Sequence, residues 1–208
     1  MEQTSWFCGG LLQFFSSCFR TNRQRQNSIR RTSSTFLTGS ADNNQLVVVG
    51  PAEVGKTSLV NQYLHEAFGR SYTPTIQENH IHLIKTSDGK FHAVNIKDTS
   101  GLENFPAMLE HTIRNGRGFI LVFALNNAQS FQEAIQLWEH MKTIRGENVP
   151  VILVGNKKDL REEREVFETD IKNAIGDNCR SCKYTETSAQ EGVSNVFHDL
   201  VTLIFELE

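Results

Sequence analysis

Eight residues constrain this chain more than any other stretch: Gly50-Pro-Ala-Glu-Val-Gly55-Lys56-Thr57 fits the pattern G-x-x-x-x-G-K-[ST]. The pattern carries chemistry only between a strand and a helix, and both flanks are readable. Residues 46–50, LVVVG, are a short β-branched run closed by glycine, and the spacing from Lys56 to about His65 is helical. Glycine lets such a loop curl until several backbone N–H groups point at one spot, where the positive end of the helix adds its field. That arrangement grips phosphate. Lys56 can reach the β and γ oxygens and the Thr57 hydroxyl can ligate magnesium. Gly50, Glu53, Val54, Gly55, Lys56, Thr57 and Ser58 are the residues expected around the phosphates of a nucleoside triphosphate.

The rest of the chain alternates in the same style. HIHLIK (80–85) and KFHAVNI (90–96) flank Asp88–Gly89 as an antiparallel hairpin. GFILVFAL (118–125) and PVILVG (150–155) are apolar runs of buried-strand length, with a helical pattern from about 128 to 145 between them. A helix near 161–175, a strand near 183–186 and a helix near 193–205 follow. The expected class is α/β, a mostly parallel sheet covered by helices.

A second motif chooses the base. Asn156-Lys157-Lys158-Asp159 follows directly on PVILVG, which delivers it to the carboxyl edge of the sheet, where open α/β folds bind ligands. Asp159 can accept from N1–H and the exocyclic amino group of guanine. Adenine lacks that amino group and would turn a lone pair toward the carboxylate. Polar sites of this kind discriminate by about 10⁴ or more, because the wrong base leaves buried groups unpaired. Guanine is the expected base.

With these residues in view, the chain from about Gln45 to Glu208 resembles a Ras-family small GTPase: GPAEVGKT, YTPTI (72–76), DTSG (98–101), NKKD (156–159) and ETSA (186–189) occur in the family's order. The stretch 98–108 is similar to the Di-Ras and Dexras branches. The resemblance implies a P-loop G domain with a six-stranded sheet and helices on both faces, acting as a monomer. It implies that GTP or GDP and Mg²⁺ are bound, with Thr57, Thr75 and Asp98 at the metal. Lys56, Thr75 and the Gly101 amide would meet the γ-phosphate, Phe68 and Lys157 would flank the base, and the Ser188–Ala189 backbone would contact its carbonyl oxygen. Asn156 would brace these loops. Effectors would engage residues 72–79 and 98–108.

Several positions depart from that pattern. The resemblance puts a glutamine at position 102, and in Ras itself, the worked case of this chemistry, that glutamine orients the attacking water; this chain has Leu102. Ala52 replaces a glycine, and its methyl would crowd an incoming arginine finger. Slow hydrolysis is therefore expected, unless Glu103 or a partner's side chain positions the water. Glu53 also stands where Ras has glycine: pointing inward it would repel phosphate and speed exchange, pointing outward it would change little. The acidic effector strip reads Thr73, Gln77 and Glu78, which implies a different effector. The second functional reading is a non-cycling, GTP-bound adaptor. A P-loop kinase or ATPase is disfavoured by Asn156–Asp159.

Charge separates the two ends of the chain. Of the net −3, residues 1–45 contribute +3, from five arginines against Glu2 and Asp42, and residues 46–208 contribute −6. This is no broad basic face for nucleic acid. Residues 1–44 lack a sustained period and are expected to be an irregular extension ahead of a G domain at 45–208. Aromatic and leucine residues within 6–19 surround Cys8 and Cys18, and arginines follow at 20–31; acylated thiols with a basic flank would form a two-signal membrane anchor. Ser28 and Ser33 follow arginines, and phosphorylation there would subtract charge. An inert tail or a mitochondrial transit peptide are the other readings of the segment.

The final FELE has no C-a-a-X cysteine for a prenyl group. Four cysteines without a clear secretory signal suit a reducing cytosol, or the cytoplasmic face of a membrane, with a mitochondrial address as the alternative. Cys179 and Cys182 read as ordinary thiols, and His80, His82 and His92 as a solvated strand face.

Overall fold

The computed structural model describes residues 44–65, 77–86, 89–99, 106–176, 179–190 and 193–207. Phe68, Thr75, Gly101, Leu102, Glu103, the YTPTI stretch and all of the extension before Asn44 lie outside the described residues. Six strands are seen: β1 (Gln45–Val49), β2 (Gln77–Lys85), β3 (Phe91–Thr99), β4 (Gly118–Ala124), β5 (Val151–Asn156) and β6 (Cys182–Glu186). The described helices are α1 (Lys56–His65), α2 (Pro106–Asn115), α3 (Ala128–Arg145), α4 (Glu168–Ile175) and α5 (Ser194–Glu206).

The strands form one sheet in the order β2-β3-β1-β4-β5-β6, in which β2 alone runs antiparallel to its neighbour. The two apolar runs become β4 and β5, buried at every position, because both faces of a central parallel strand are covered. One face carries Leu46, Val48, Ile96, Ile120 and Val122 against Leu59, Phe197 and Leu200 of α1 and α5. The other carries Val47, Phe119, Leu121 and Phe123 against Ile113 of α2, Trp138 and Met141 of α3, and Ile171 of α4. Among the described residues no helix is long and apolar enough to cross a membrane.

Three local expectations change. The helix expected at 161–175 is instead a short 3₁₀ turn at Arg161–Glu163, an extended link, and then α4. The amides of Glu165 and Val166 both donate to Leu125 O, at 2.9 and 3.1 Å, which pulls the link against the loop after β4. The helix restarts where the Phe167 amide donates to Asp170 Oδ2 at 2.9 Å. Helix α2 was not anticipated at all, although Pro106 at its first position is a helix-start signal.

The histidine face is also only partly solvated: His92 is buried, and His80 and His82 are half-buried. Register puts His80 opposite Ile96, His82 opposite Val94 and His92 opposite Ile84, so all three share the face covered by α1 and α5. His92 is buried with its ring 4.4 Å from that of Phe205, and His82 meets Tyr63 edge-on at 5.1 Å. Burial first, and then His198, pushes the His82 pKa down. Among the described residues no cluster of three or more His, Cys, Asp or Glu could hold a metal. Cys179 and Cys182 are free thiols, and burial pushes Cys182 up to about 12.

Candidate nucleotide site

Strands β1 and β4 are neighbours, and the helices that follow them, α1 and α3, lie on opposite faces of the sheet, so a crevice opens at their carboxyl ends. Residues 50–55 occupy that crevice. Gly50 has φ +140°, and a Cβ there would sit 2.1 Å from the Val122 carbonyl oxygen of β4. Gly55 has φ +95°, and a Cβ there would meet Asn156 Nδ2 at 2.4 Å. Both glycines are required by backbone and neighbour together. Lys56 curls back over the loop it follows and donates through Nζ to Gly50 O at 2.6 Å and Pro51 O at 2.5 Å. Its amine is thus held across the loop at the start of α1, where phosphate would lie. Ser58 follows on the first turn of α1, half-buried.

Ala52 and Glu53 are exposed. The Glu53 side chain is thus open to solvent. Its backbone is another matter: φ is +61°, the left-handed region that glycine occupies without strain.

Asp98 stands near the carboxyl end of β3, in register with Val48 of β1, and is 1% exposed. Neither carboxylate oxygen has a hydrogen bond of good geometry. Burial pushes its pKa up; the Thr57 hydroxyl and Lys56 ammonium pull it down, Glu78 adds to the rise and His80 opposes it. A buried carboxylate without full pairing is costly unless a cation completes it. Thr57 and Asp98 supply only oxygen, which suits a hard divalent cation such as magnesium. The adjacent Thr99 donates to Val48 O at 2.6 Å, tying β3 to β1.

The side expected to face the base is assembled from the ends of β5 and β6. Asn156 Nδ2 donates to Val54 O at 2.8 Å, and Thr187 Oγ1 donates to Asn156 Oδ1 at 3.4 Å. The Lys158 amide donates to Thr187 O at 3.1 Å and the Thr187 amide to Gly155 O at 2.9 Å. Lys157 takes φ +64°, a left-handed turn that carries the chain from the strand to Asp159. Asp159 is exposed, with Oδ1 accepting from Ser188 Oγ at 2.7 Å and Oδ2 from Gln190 Nε2 at 3.3 Å. Ser188 and Ala189 are buried beside it. A carboxylate oxygen can accept twice, so both remain open to further donors. Gln190 carries no sequence signal that would have marked it.

Arg164 and Glu186 were also missed. They form a two-point pair in which Nη1 donates to Oε2 at 3.1 Å and Nη2 to Oε1, and Tyr184 Oη donates to Glu186 Oε1 at 2.8 Å. Glu186 lies inside ETSA, but nothing in that spacing names Arg164 as its partner.

The Ras family profile matches residues 45–206. The chain belongs to the Ras family. It is 38% identical to the Ras-like protein rasS of Dictyostelium discoideum over 162 residues, covering 76% of this chain and 82% of that one. It is 32% identical to the GTP-binding protein drn-1 of Caenorhabditis elegans over 189 residues, covering 85% of each. It is 36% identical to the human Ras-related protein R-Ras over 167 residues, covering 79% of this chain and 75% of that one. Ras-family small GTPases are signalling switches that in general bind guanine nucleotide and magnesium, hydrolyse GTP and engage effectors. In this Ras-family chain, the phosphate loop, Asp98 and the Asp159 loop all stand at the carboxyl edge of one sheet.

Proposed function

We propose that the chain is a Ras-type switch that binds GTP and GDP with magnesium and hydrolyses GTP slowly. The observation that carries the reading is the bond from Asn156 Nδ2 to Val54 O, which joins the phosphate loop to the base-reading loop across 102 residues of sequence. Phosphate would rest on the amides of residues 53–58 with Lys56 at the β and γ oxygens, and guanine would be read by Asp159. Thr57 and Asp98, with Thr75, would hold the metal, which when bound would neutralise phosphate charge.

Slow hydrolysis follows from Leu102, a side chain with no group to orient water, and from Ala52 at the mouth of the loop. Effectors would engage residues 72–79 and 98–108. The extension would place the domain at the cytoplasmic face of a membrane through acylated Cys8 and Cys18. The same two substitutions support the second reading, a GTP-loaded adaptor that does not cycle. Single-turnover hydrolysis by wild type and Leu102→Gln, with chromatography of the nucleotide carried through purification, tests both. A slow wild type that Leu102→Gln speeds at least tenfold supports the switch. GTP alone, with no turnover in either protein, supports the adaptor, and bound adenine nucleotide would defeat both.

A further inference from the structure

We infer that Arg164, Glu186 and Tyr184 form a positioning unit for the base side of the pocket, acting through Asp159 and Ser188 without touching the nucleotide. The inference rests on the guanine-reading role proposed for Asp159.

Asp159 is exposed and sits on a loop whose entry, Lys157, is held in the left-handed region. Such a loop needs fastening. One fastening is the Lys158 amide on Thr187 O, at 3.1 Å. The other is the Arg164 fork on Glu186, strengthened by Arg164 Nε donating to Val166 O at 2.8 Å and by the Tyr184 hydroxyl on Glu186 Oε1 at 2.8 Å. The stretch from 158 to 164 is therefore pinned at both ends to adjacent residues, 187 and 186. Asp159 and its Ser188 partner lie beside that bracket. The Arg164 and Glu186 side chains are only 27% and 20% exposed, where a two-point charged pair keeps its geometry better than at an open surface. Arg164 first, and Tyr184 after it, hold the Glu186 carboxyl below the usual carboxylate range, against the effect of burial.

The chemistry that depends on this fastening is the two-point reading of guanine. N1–H and the 2-amino group must both meet Asp159, so its carboxylate plane has to be fixed. Hypoxanthine, the base of inosine, offers N1–H alone and tolerates a tilted carboxylate. Loosening the bracket should therefore weaken GDP more than IDP, whereas a general loosening of the fold would weaken both alike.

The test measures GDP and IDP affinities of the whole chain by displacement of fluorescent GDP, together with GDP release rates. Arg164→Ala is expected to speed GDP release roughly tenfold and to reduce the GDP-to-IDP affinity ratio at least threefold, with Arg164→Lys recovering part of the ratio. Tyr184→Phe, which keeps the fork and removes one donor, is expected to lower the ratio by less. An unchanged ratio in Arg164→Ala overturns the inference whether or not release is faster. If Arg164→Ala does not fold, an unchanged ratio in Tyr184→Phe overturns it instead. A wild type with no preference for GDP over ADP defeats the guanine reading itself. A guanine-selective wild type with unchanged ratios in the variants defeats only the positioning unit.

Discussion

Gly55 and Asn156 interlock: a Cβ on the glycine would lie 2.4 Å from Asn156 Nδ2, the same nitrogen that donates to Val54 O at 2.8 Å. The phosphate loop can close only because position 55 has no side chain. Asn156 in turn ends β5, and Thr187 reaches it from beyond β6, so one amide side chain joins three segments of the carboxyl edge.

Gly55→Ala should therefore be destabilising by roughly 2 kcal/mol or more, from the positive φ and the lost Asn156 bond together. Urea unfolding of the nucleotide-free protein measures it. A loss below about 0.5 kcal/mol would mean that the loop does not close on Asn156.

Glu53→Gly should go the other way. The exposed Glu53 at φ +61° carries the left-handed strain of about 1 kcal/mol, so glycine should raise stability by about that amount. GDP release should change little, because water and salt screen an exposed carboxylate. Faster release in wild type than in Glu53→Gly would show that its charge does reach the phosphates.

Asp98→Asn should separate stability from metal dependence. Burial raises the Asp98 pKa against the pull of Thr57 and Lys56, so a neutral amide there should stabilise the nucleotide-free protein by about 1 kcal/mol. The same change should abolish the slowing of GDP release by magnesium. Release that still responds to magnesium in the variant would remove Asp98 from the metal site.

Lys97→Met addresses a cost on the opposite face. Lys97 is 6% exposed beneath α2, its ammonium donates to the neutral Thr112 hydroxyl at 3.1 Å, and burial pushes its pKa down. A methionine of similar shape should be stabilising by about 1 kcal/mol, with Thr112 free to bond back along its own helix. Thermal unfolding measures the shift, and a lower midpoint would mean that the amine has a further role.

His82 gives the pH dependence its sign. Its folded pKa lies below the ordinary 6.5, so the unfolded chain binds the proton more readily. Stability is full above about pH 6.5 and declines as pH falls through the lower folded value. His82→Phe, which keeps a ring against Tyr63, should flatten the stability curve between about pH 7 and 5. A wild-type curve already flat across that interval would contradict the shift.

Much of the architecture was legible in one dimension because it rests on short-range pattern. Buried strands show as continuous apolar runs, the hairpin shows as alternation about Asp88–Gly89, and GPAEVGKT names its own strand, loop and helix. The residues proposed to meet phosphate and guanine stand out for the same reason, since each motif is contiguous. What long-range contact decides was not readable. The 161–175 helix broke because Leu125 O draws two amides out of it, and the histidine face was partly covered because α1 and the distant α5 pack on it.

The amino-acid order alone thus determined the class of fold and the phosphate loop, and it named Asp159 as the candidate base reader. Only the tertiary structure decided that Glu53 is exposed at a left-handed φ, that Asp98 is buried beside Thr57 and Lys56, and that Arg164 finds Glu186. The physical reason is separation: a motif's chemistry travels with its neighbours along the chain, whereas burial and pairing depend on which distant segments the sheet brings together.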